Sequence, residues 1–258
     1  FGGSGFIGLH LVRELLNRQY QIPIFDIKEP ESLFKSVNYI KGDILNEKDV
    51  NDAIKGHSLV FNFAGWADME KSIDSPIKVI KQNVLGNTVV LSACVNNSVK
   101  RYFFASSIYV FSKSGSFYRA SKQSCELIIK EFQKRYNLPF TILRFGSLYG
   151  PGAKDGNAIY DLIKMASDKK KIDYWGSGDE IRQYIHVNDA ARGCIKSIDD
   201  EYENKNVILT GIEKIKTKDL LVMLNEIFDN DLTLNFNPNQ RSDFHYKITP
   251  YNFLPDIG

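Results

Sequence analysis

The sequence has little that would tie it to a polyanion, a membrane or an oxidising compartment. Over 258 residues, 33 lysines and arginines nearly balance 31 aspartates and glutamates, for a formal charge of +2. So small an excess gives no electrostatic basis for binding nucleic acid or an anionic bilayer. No apolar run approaches the ~18 residues of a membrane-crossing helix, and nothing at the start reads as a signal peptide. Cysteine is scarce. Cys94, Cys125 and Cys194 are far apart, odd in number and free of any C-x-x-C pair, which argues against a disulfide framework and against a zinc site. No metal is expected, and a reducing, cytoplasmic setting is. The remainder, 43% hydrophobic and 25% charged, is ordinary for a globular protein of one large α/β domain or two smaller ones. The expected partner is a small molecule.

The chain opens Phe1-Gly2-Gly3-Ser4-Gly5-Phe6-Ile7-Gly8, a glycine-rich turn feeding a helix with apolar residues at Ile7, Leu11, Val12, Leu15 and Leu16. Gly2, Gly5 and Gly8 allow a tight turn, close backbone approach to a pyrophosphate, and close packing of helix on sheet, with the anion at the helix N-terminus. A buried strand ordinarily precedes such a turn, so the sequence reads as clipped at its start. The apolar run from Gln21 ends in Asp26, 18 residues after Gly8. There a dinucleotide fold keeps the carboxylate that binds ribose hydroxyls and repels a 2′-phosphate, which favours NAD over NADP. Lys28 nearby is a weak opposing signal.

Strands are expected at 39–44, ending in Gly42-Asp43-Ile44, and at 59–63, where a continuous apolar run suits a strand buried on both faces. Ala64-Gly65 leaves room for a cofactor. A helix over about 76–96, carrying Asn83 and Gly86, precedes a strand at 101–107. A second helix runs from Tyr118 to about Tyr136, and a strand over 139–144 follows. This alternation predicts a doubly wound parallel sheet, a Rossmann-type α/β fold. Regularity stops near 150, and a smaller interleaved substrate-binding lobe is expected there. The dinucleotide-binding part is assigned to 1–150 with 184–211 returning to it, and the small lobe to 151–183 and 212–258. A helix is expected over 158–168. Asn188 or Asp189 is expected to cap one helix and Thr217 another, Asp219 to Phe228. The tail after Asn235 lacks periodicity, and a cleft between the parts is the natural ligand site.

Tyr118-Arg119-Ala120-Ser121-Lys122 puts a phenol and an ammonium one turn apart on one helical face. Alone, this is as well explained by an ordinary surface helix. It gains meaning from its company: the glycine turn, Asp26, Gly42-Asp43, Asn83, Ser107, and Arg182-x-Tyr184-x-His186-Val187-x-Asp189. Together these residues resemble the extended short-chain dehydrogenase/reductases, in the NAD-dependent epimerase/dehydratase branch that acts on nucleotide sugars.

That resemblance implies roles. Gly2, Gly5, Phe6, Ile7 and Gly8 would hold the pyrophosphate, Asp26 the adenosine ribose, Asp43 and Ile44 the adenine, and Ala64 a backbone contact beneath NAD, with Asn83 in the same cofactor set. Ser107 would be the catalytic hydroxyl, in contact with substrate, and Tyr118 the acid/base. Lys122 would bind the nicotinamide ribose and depress the Tyr118 pKa. Arg182 and Arg241 would clamp the substrate diphosphate, and Ser147 stands where relatives often carry an Asn that touches it. Lowering a tyrosine from about 10 to near 7 takes on the order of 4 kcal/mol, whereas a solvated lysine gives about 1 kcal/mol. Tyr118 is therefore expected to titrate higher without the cofactor.

The implied reaction is epimerisation of a nucleotide sugar, foremost at C4 of a UDP-hexose, through a transient ketone. Dehydrating relatives carry Asp-Glu directly after the catalytic hydroxyl, where this chain has Ile108-Tyr109, and decarboxylating relatives carry Glu at the Tyr109 position. A reductase would ordinarily prefer NADP, against Asp26. Only ten residues separate Ser107 from Tyr118, fewer than in most relatives, and Ala67 replaces a lysine found in some 4-epimerases. The remote alternative is a non-catalytic NAD-binding sensor. The resemblance also implies a homodimer joined through the helices near 76–96 and 118–136.

Overall fold

The computed structural model describes residues 1–30, 37–112 and 115–237. After the glycine turn come helix α1 (Phe6–Asn17), strands β1 (Pro23–Asp26) and β2 (Asn38–Lys41), helix α2 (Glu47–Ile54) and strand β3 (Leu59–Asn62). Helices α3 (Met69–Ile73) and α4 (Pro76–Val79), a π-helical turn over Ile80–Leu85, and α5 (Gly86–Asn96) lead to β4 (Arg101–Ser107). A 3-10 turn (Ile108–Phe111), α6 (Ser116–Tyr136) and β5 (Phe140–Phe145) follow. Beyond lie β6 (Ser147–Tyr149), α7 (Ala158–Lys169), β7 (Lys171–Tyr174), β8 (Ile181–Arg182), β9 (Tyr184–His186) and α8 (Val187–Lys196). The described chain ends with β10 (Lys205–Leu209), β11 (Ile215–Lys216), α9 (Thr217–Ile227) and β12 (Thr233–Phe236).

Strands β10, β5, β4 and β3 form, in that order, a wholly parallel sheet, and β1 pairs in parallel with β2. Phe1 and Gly2 stand between the two. The Phe1 amine donates to Phe61 O at 2.8 Å, Phe63 N to Phe1 O at 3.0 Å, and Gly2 N to Phe25 O at 2.9 Å. Every residue of β4 and β5 is buried, as strands covered on both faces require. Tyr102 and Phe104 face Val50, Val90, Leu91, Cys125 and Ile129 of α2, α5 and α6. Phe103 and Ala105 point the opposite way, to Leu11, Leu15, Ala190 and Cys194 of α1 and α8. The period-two alternation of one strand thus feeds two cores, each full side-chain burial giving about 1.5–3 kcal/mol. The result is a doubly wound α/β fold.

A third core, of Ala166, Ile172, Tyr174, Leu221 and Leu224, joins α7, β7 and α9. Strand β12 pairs with β7 in parallel, although no periodicity in the sequence marks it. The strand at 205–209 joins the main sheet beside β5. Among the described residues no helix is long and apolar enough to cross a membrane.

Several local expectations are corrected. The helix over 76–96 is not uniform, because a π-helical turn interrupts it. Strand β2 stops at Lys41, since Gly42 N turns back to Asp26 O and Ile44 dives into the core. The cap of α8 is His186, whose Nδ1 accepts from Asn188 N at 3.2 Å. Thr217 begins α9 instead of capping it, and its hydroxyl donates to Glu180 O at 3.1 Å.

Candidate active site

The glycine turn is built around close backbone approaches. Gly2 has φ +73°, and a Cβ there would lie 2.4 Å from Ala64 N; one at Gly8 would lie 2.3 Å from Gly2 O. Packing constrains Gly5 less, its nearest such contact being Gly2 O at 3.3 Å. Gly5 instead caps α1 with no side chain to satisfy the first-turn N–H groups, and no acid lies in that turn. The end of α1 is therefore open to an anion. Ser4 Oγ is buried beside it without a hydrogen-bond partner among the described residues. Asp26, at the end of β1, accepts Ser4 N on Oδ2 at 3.0 Å and Lys28 N on Oδ1 at 3.1 Å. Its carboxylate is thereby fixed next to the turn.

The neighbouring wall runs through Asp43, Ile44, Ala64 and Asn83. Asp43 is exposed and accepts Leu45 N at 3.0 Å and Gln82 Nε2 at 3.5 Å. The Ile44 side chain is buried against Gly86, leaving its backbone for any ligand contact. Ala64 N donates to Asn62 Oδ1 at 3.2 Å. Asn83 sits inside the π-helical turn and is buried. Its Oδ1 accepts Trp66 N at 2.6 Å, while Nδ2 donates to Trp66 O at 3.1 Å and to Ser121 Oγ at 2.9 Å. Its side chain thus grips the loop after β3 and ties it to α6.

Ser107, Tyr118 and Lys122 are brought together where β4 ends against α6. Gly115, at φ +135°, admits the chain to that helix, and Asn137 in the left-handed region ends it. Ser107 is buried, accepts Tyr109 N at 3.2 Å and hydrogen-bonds the Tyr118 phenol. Tyr118 is half-buried. Burial pushes its pKa up to about 12, the Ser107 bond works the other way, and Tyr109 nearby adds to the rise. Lys122 is buried, donates to Ala105 O at 2.8 Å, and holds Nζ 5.8 Å from the Tyr118 ring centroid and 4.8 Å from that of Phe104. Burial lowers the Lys122 pKa, and the neighbouring Cys125 and Glu126 side chains work the other way.

In β6, Ser147 N donates to Gln183 O at 3.2 Å, which links β6 to the residue before β9. Arg182 is buried and its Nη1 donates to Ile181 O at 2.9 Å. Gln183 Nε2 donates to Gly211 O at 2.9 Å, joining this segment to the loop after β10. Glu180 is buried and accepts Ser177 N, Gly178 N and the Tyr174 hydroxyl at 3.0, 2.9 and 3.1 Å. Arg241 lies outside the described residues, as do 113 and 114 in the segment between Ser107 and Tyr118. Sequence reasoning missed Asn62, Glu126, Arg144 and Gln183. Only Glu126 carried a legible signal, standing four residues beyond Lys122 on the same helical face.

The donor set fits a dinucleotide. Two glycines admit no side chain, an uncapped helix end faces the turn, an orphaned hydroxyl lies beside it, and a fixed carboxylate closes the strand. Residues 1–210 match the NAD dependent epimerase/dehydratase family. A UDP-N-acetyl-alpha-D-glucosaminuronate decarboxylase of Bacillus cytotoxicus is 28% identical over 242 residues, covering 84% of this chain and 75% of that protein. An uncharacterised UDP-glucose epimerase of Bacillus subtilis is 24% identical, over 92% of this chain and 83% of its own. A Thermus thermophilus UDP-glucose 4-epimerase solved with NAD superposes with a TM-score of 0.83 at 20% identity, over 94% of this chain and 87% of that one. A match over most of the chain makes this protein a member of the NAD-dependent epimerase/dehydratase family.

Proposed function

We propose that the protein is a nucleotide-sugar epimerase, acting foremost at C4 of a UDP-hexose. The observation that carries this reading is the pairing of Ser107 with Tyr118 beside Lys122, followed by Ile108 and Tyr109, neither of them a carboxylate. NAD, when bound, supplies acceptance and return of a hydride. The chain's own residues manage the proton. Tyr118 takes it from the sugar hydroxyl as the carbon is oxidised, and Ser107 steadies the phenolate by donating to it. Lys122 favours the same charged state. The ketone turns in the cleft, is reduced on its other face, and recovers the proton from Tyr118. Gly2, Gly5, Phe6, Ile7 and Gly8 would hold the pyrophosphate, with Asp26 on ribose and Asp43 and Ile44 near adenine. Ser147 and Arg182 would line the diphosphate side, and residues 151–183 with 212–258 would form the substrate lobe.

Incubation with UDP-, dTDP- and GDP-sugars tests this. Inverted product without accumulation of NADH supports it, and absence of turnover with every sugar points to a non-catalytic NAD-binding role. A second reading, decarboxylation of a UDP-uronic acid, has the 28%-identical relative in its favour. Release of carbon dioxide from a UDP-uronic acid would select it over epimerisation.

The homodimer belongs to the same proposal. Ile77 is 71% and Leu127 64% exposed, with Ile80 and Leu85 also open on the helices at 76–96 and 116–136. Sedimentation should give twice the chain mass, and Leu127→Lys should reduce it to the monomer.

A further inference from the structure

Helix α6 is fastened to the sheet by a buried carboxylate one turn beyond Lys122. Glu126 Oε1 accepts the Ser106 hydroxyl at 2.5 Å and Arg144 Nε at 3.0 Å, and Oε2 accepts Arg144 Nη2 at 2.6 Å. The two charged side chains are 7% and 9% exposed. Ser106 and Arg144 are direct partners in the β4–β5 register, so a single carboxylate grips both strands at one level. The next residue along β4 is Ser107. On its other side the Arg144 guanidinium lies 4.6 Å from the ring centroid of Phe111, in the 3-10 turn that leads away from Ser107.

A buried ion pair contributes little net stability, because desolvation offsets most of its attraction, and well-packed apolar residues would serve as well. Apolar packing does not give direction. A bidentate guanidinium–carboxylate pair with a third hydrogen bond fixes distance and angle together. Here it sets how far α6 stands from the end of β4, the spacing across which Ser107 must reach Tyr118. Resting on the reading above, we propose that Glu126, with Arg144 and Ser106, is a positioning residue for the Ser107–Tyr118 proton pair.

The test compares wild type with Ser106→Ala, Glu126→Gln and Arg144→Lys in NAD-loaded protein. NAD content and thermal midpoint report folding. Steady-state rates against pH report positioning. In Ser106→Ala, which leaves the ion pair intact, NAD content should be unchanged, KM should stay within about twofold, and kcat should fall about tenfold. The acidic limb of kcat should rise by about one pH unit, since a weakened Ser107 bond no longer favours the phenolate. Glu126→Gln and Arg144→Lys should move both quantities in the same direction. Folded variants with kcat within about twofold of wild type and an unmoved limb would overturn the proposal. If Glu126→Gln does not fold, Ser106→Ala decides alone. If wild type turns over no sugar nucleotide, the functional reading fails separately. Tyrosinate titration of Ser106→Ala against wild type then judges the positioning role: an upward shift sustains it and an unmoved titration overturns it.

Discussion

Removing NAD, or the charge of Lys122, should move the titration of Tyr118 by amounts that follow from the site. Burial pushes this phenol up to about 12, against the pull of the Ser107 hydrogen bond. To act as a base near neutrality it must drop about five pH units, on the order of 7 kcal/mol. Lys122 Nζ lies 5.8 Å from the ring centroid. A unit charge at that distance gives about 3 kcal/mol at an effective dielectric of about 20. That is an upper bound, because burial also lowers the Lys122 pKa. Lys122 is already in place where the phenol stands at about 12, so the whole drop of about 7 kcal/mol must come from groups bound in the cleft, foremost the positive nicotinamide ring. The sign is fixed: a phenol deprotonates as pH rises, so a lower pKa brings activity in at lower pH. The chain has 13 tyrosines, so the ultraviolet difference absorbance of tyrosinate needs Tyr118→Phe as a subtraction. NAD-free protein should show Tyr118 titrating about five pH units above the NAD-loaded form. In NAD-loaded Lys122→Met the titration, and the acidic limb of kcat with it, should rise by about two. Titration at one pH with and without NAD would refute this account of the site.

Gly2→Ala should cost about 3 kcal/mol or more in denaturant unfolding, because its Cβ would lie 2.4 Å from Ala64 N at a φ of +73°. Gly56→Ala, at φ +79° with open space around it, should cost only about 1–2 kcal/mol. Asn83→Ala strips Trp66 N of its acceptor at 2.6 Å. It should lose about 2 kcal/mol of stability, and by freeing the loop that carries Ala64 it should weaken NAD binding about tenfold in calorimetry.

What could be read in advance was what depends on near neighbours in sequence. The run at 101–107 spells a strand buried on both faces, and the Tyr118–Lys122 spacing fixes their shared face whatever surrounds them. The glycines and Asp26 are legible because a turn and a strand end are local objects. Long-range pairing was not. Arg144 meets Glu126 only once β4 and β5 lie in register. His10 meets Asn188 at 2.7 Å and Pro151 O at 2.9 Å across 178 and 141 positions, a link that no period reveals. The cap of α8 went to a histidine, which competes poorly with Asn or Asp by propensity but here carries a free ring nitrogen at the right turn. The substrate side is least legible, because Arg182 and Gln183 owe their surroundings to β11 and to the loop after β10.

The π-helical turn over Ile80–Leu85 has a consequence for chain length. Winding with an extra residue per turn lets α4 and α5 both pack on α6 while Asn83 turns wholly inward. Deleting one residue there would restore regular winding with the flanking faces still in line, but Asn83 would lose the outsized turn that aims it inward. The hydrophobic composition would survive such a change, and the grip on Trp66 would not. The number of residues in this stretch is therefore under as tight a constraint as their identity, and a one-residue gap here would release the Trp66 backbone from Asn83 while leaving an otherwise sound helix.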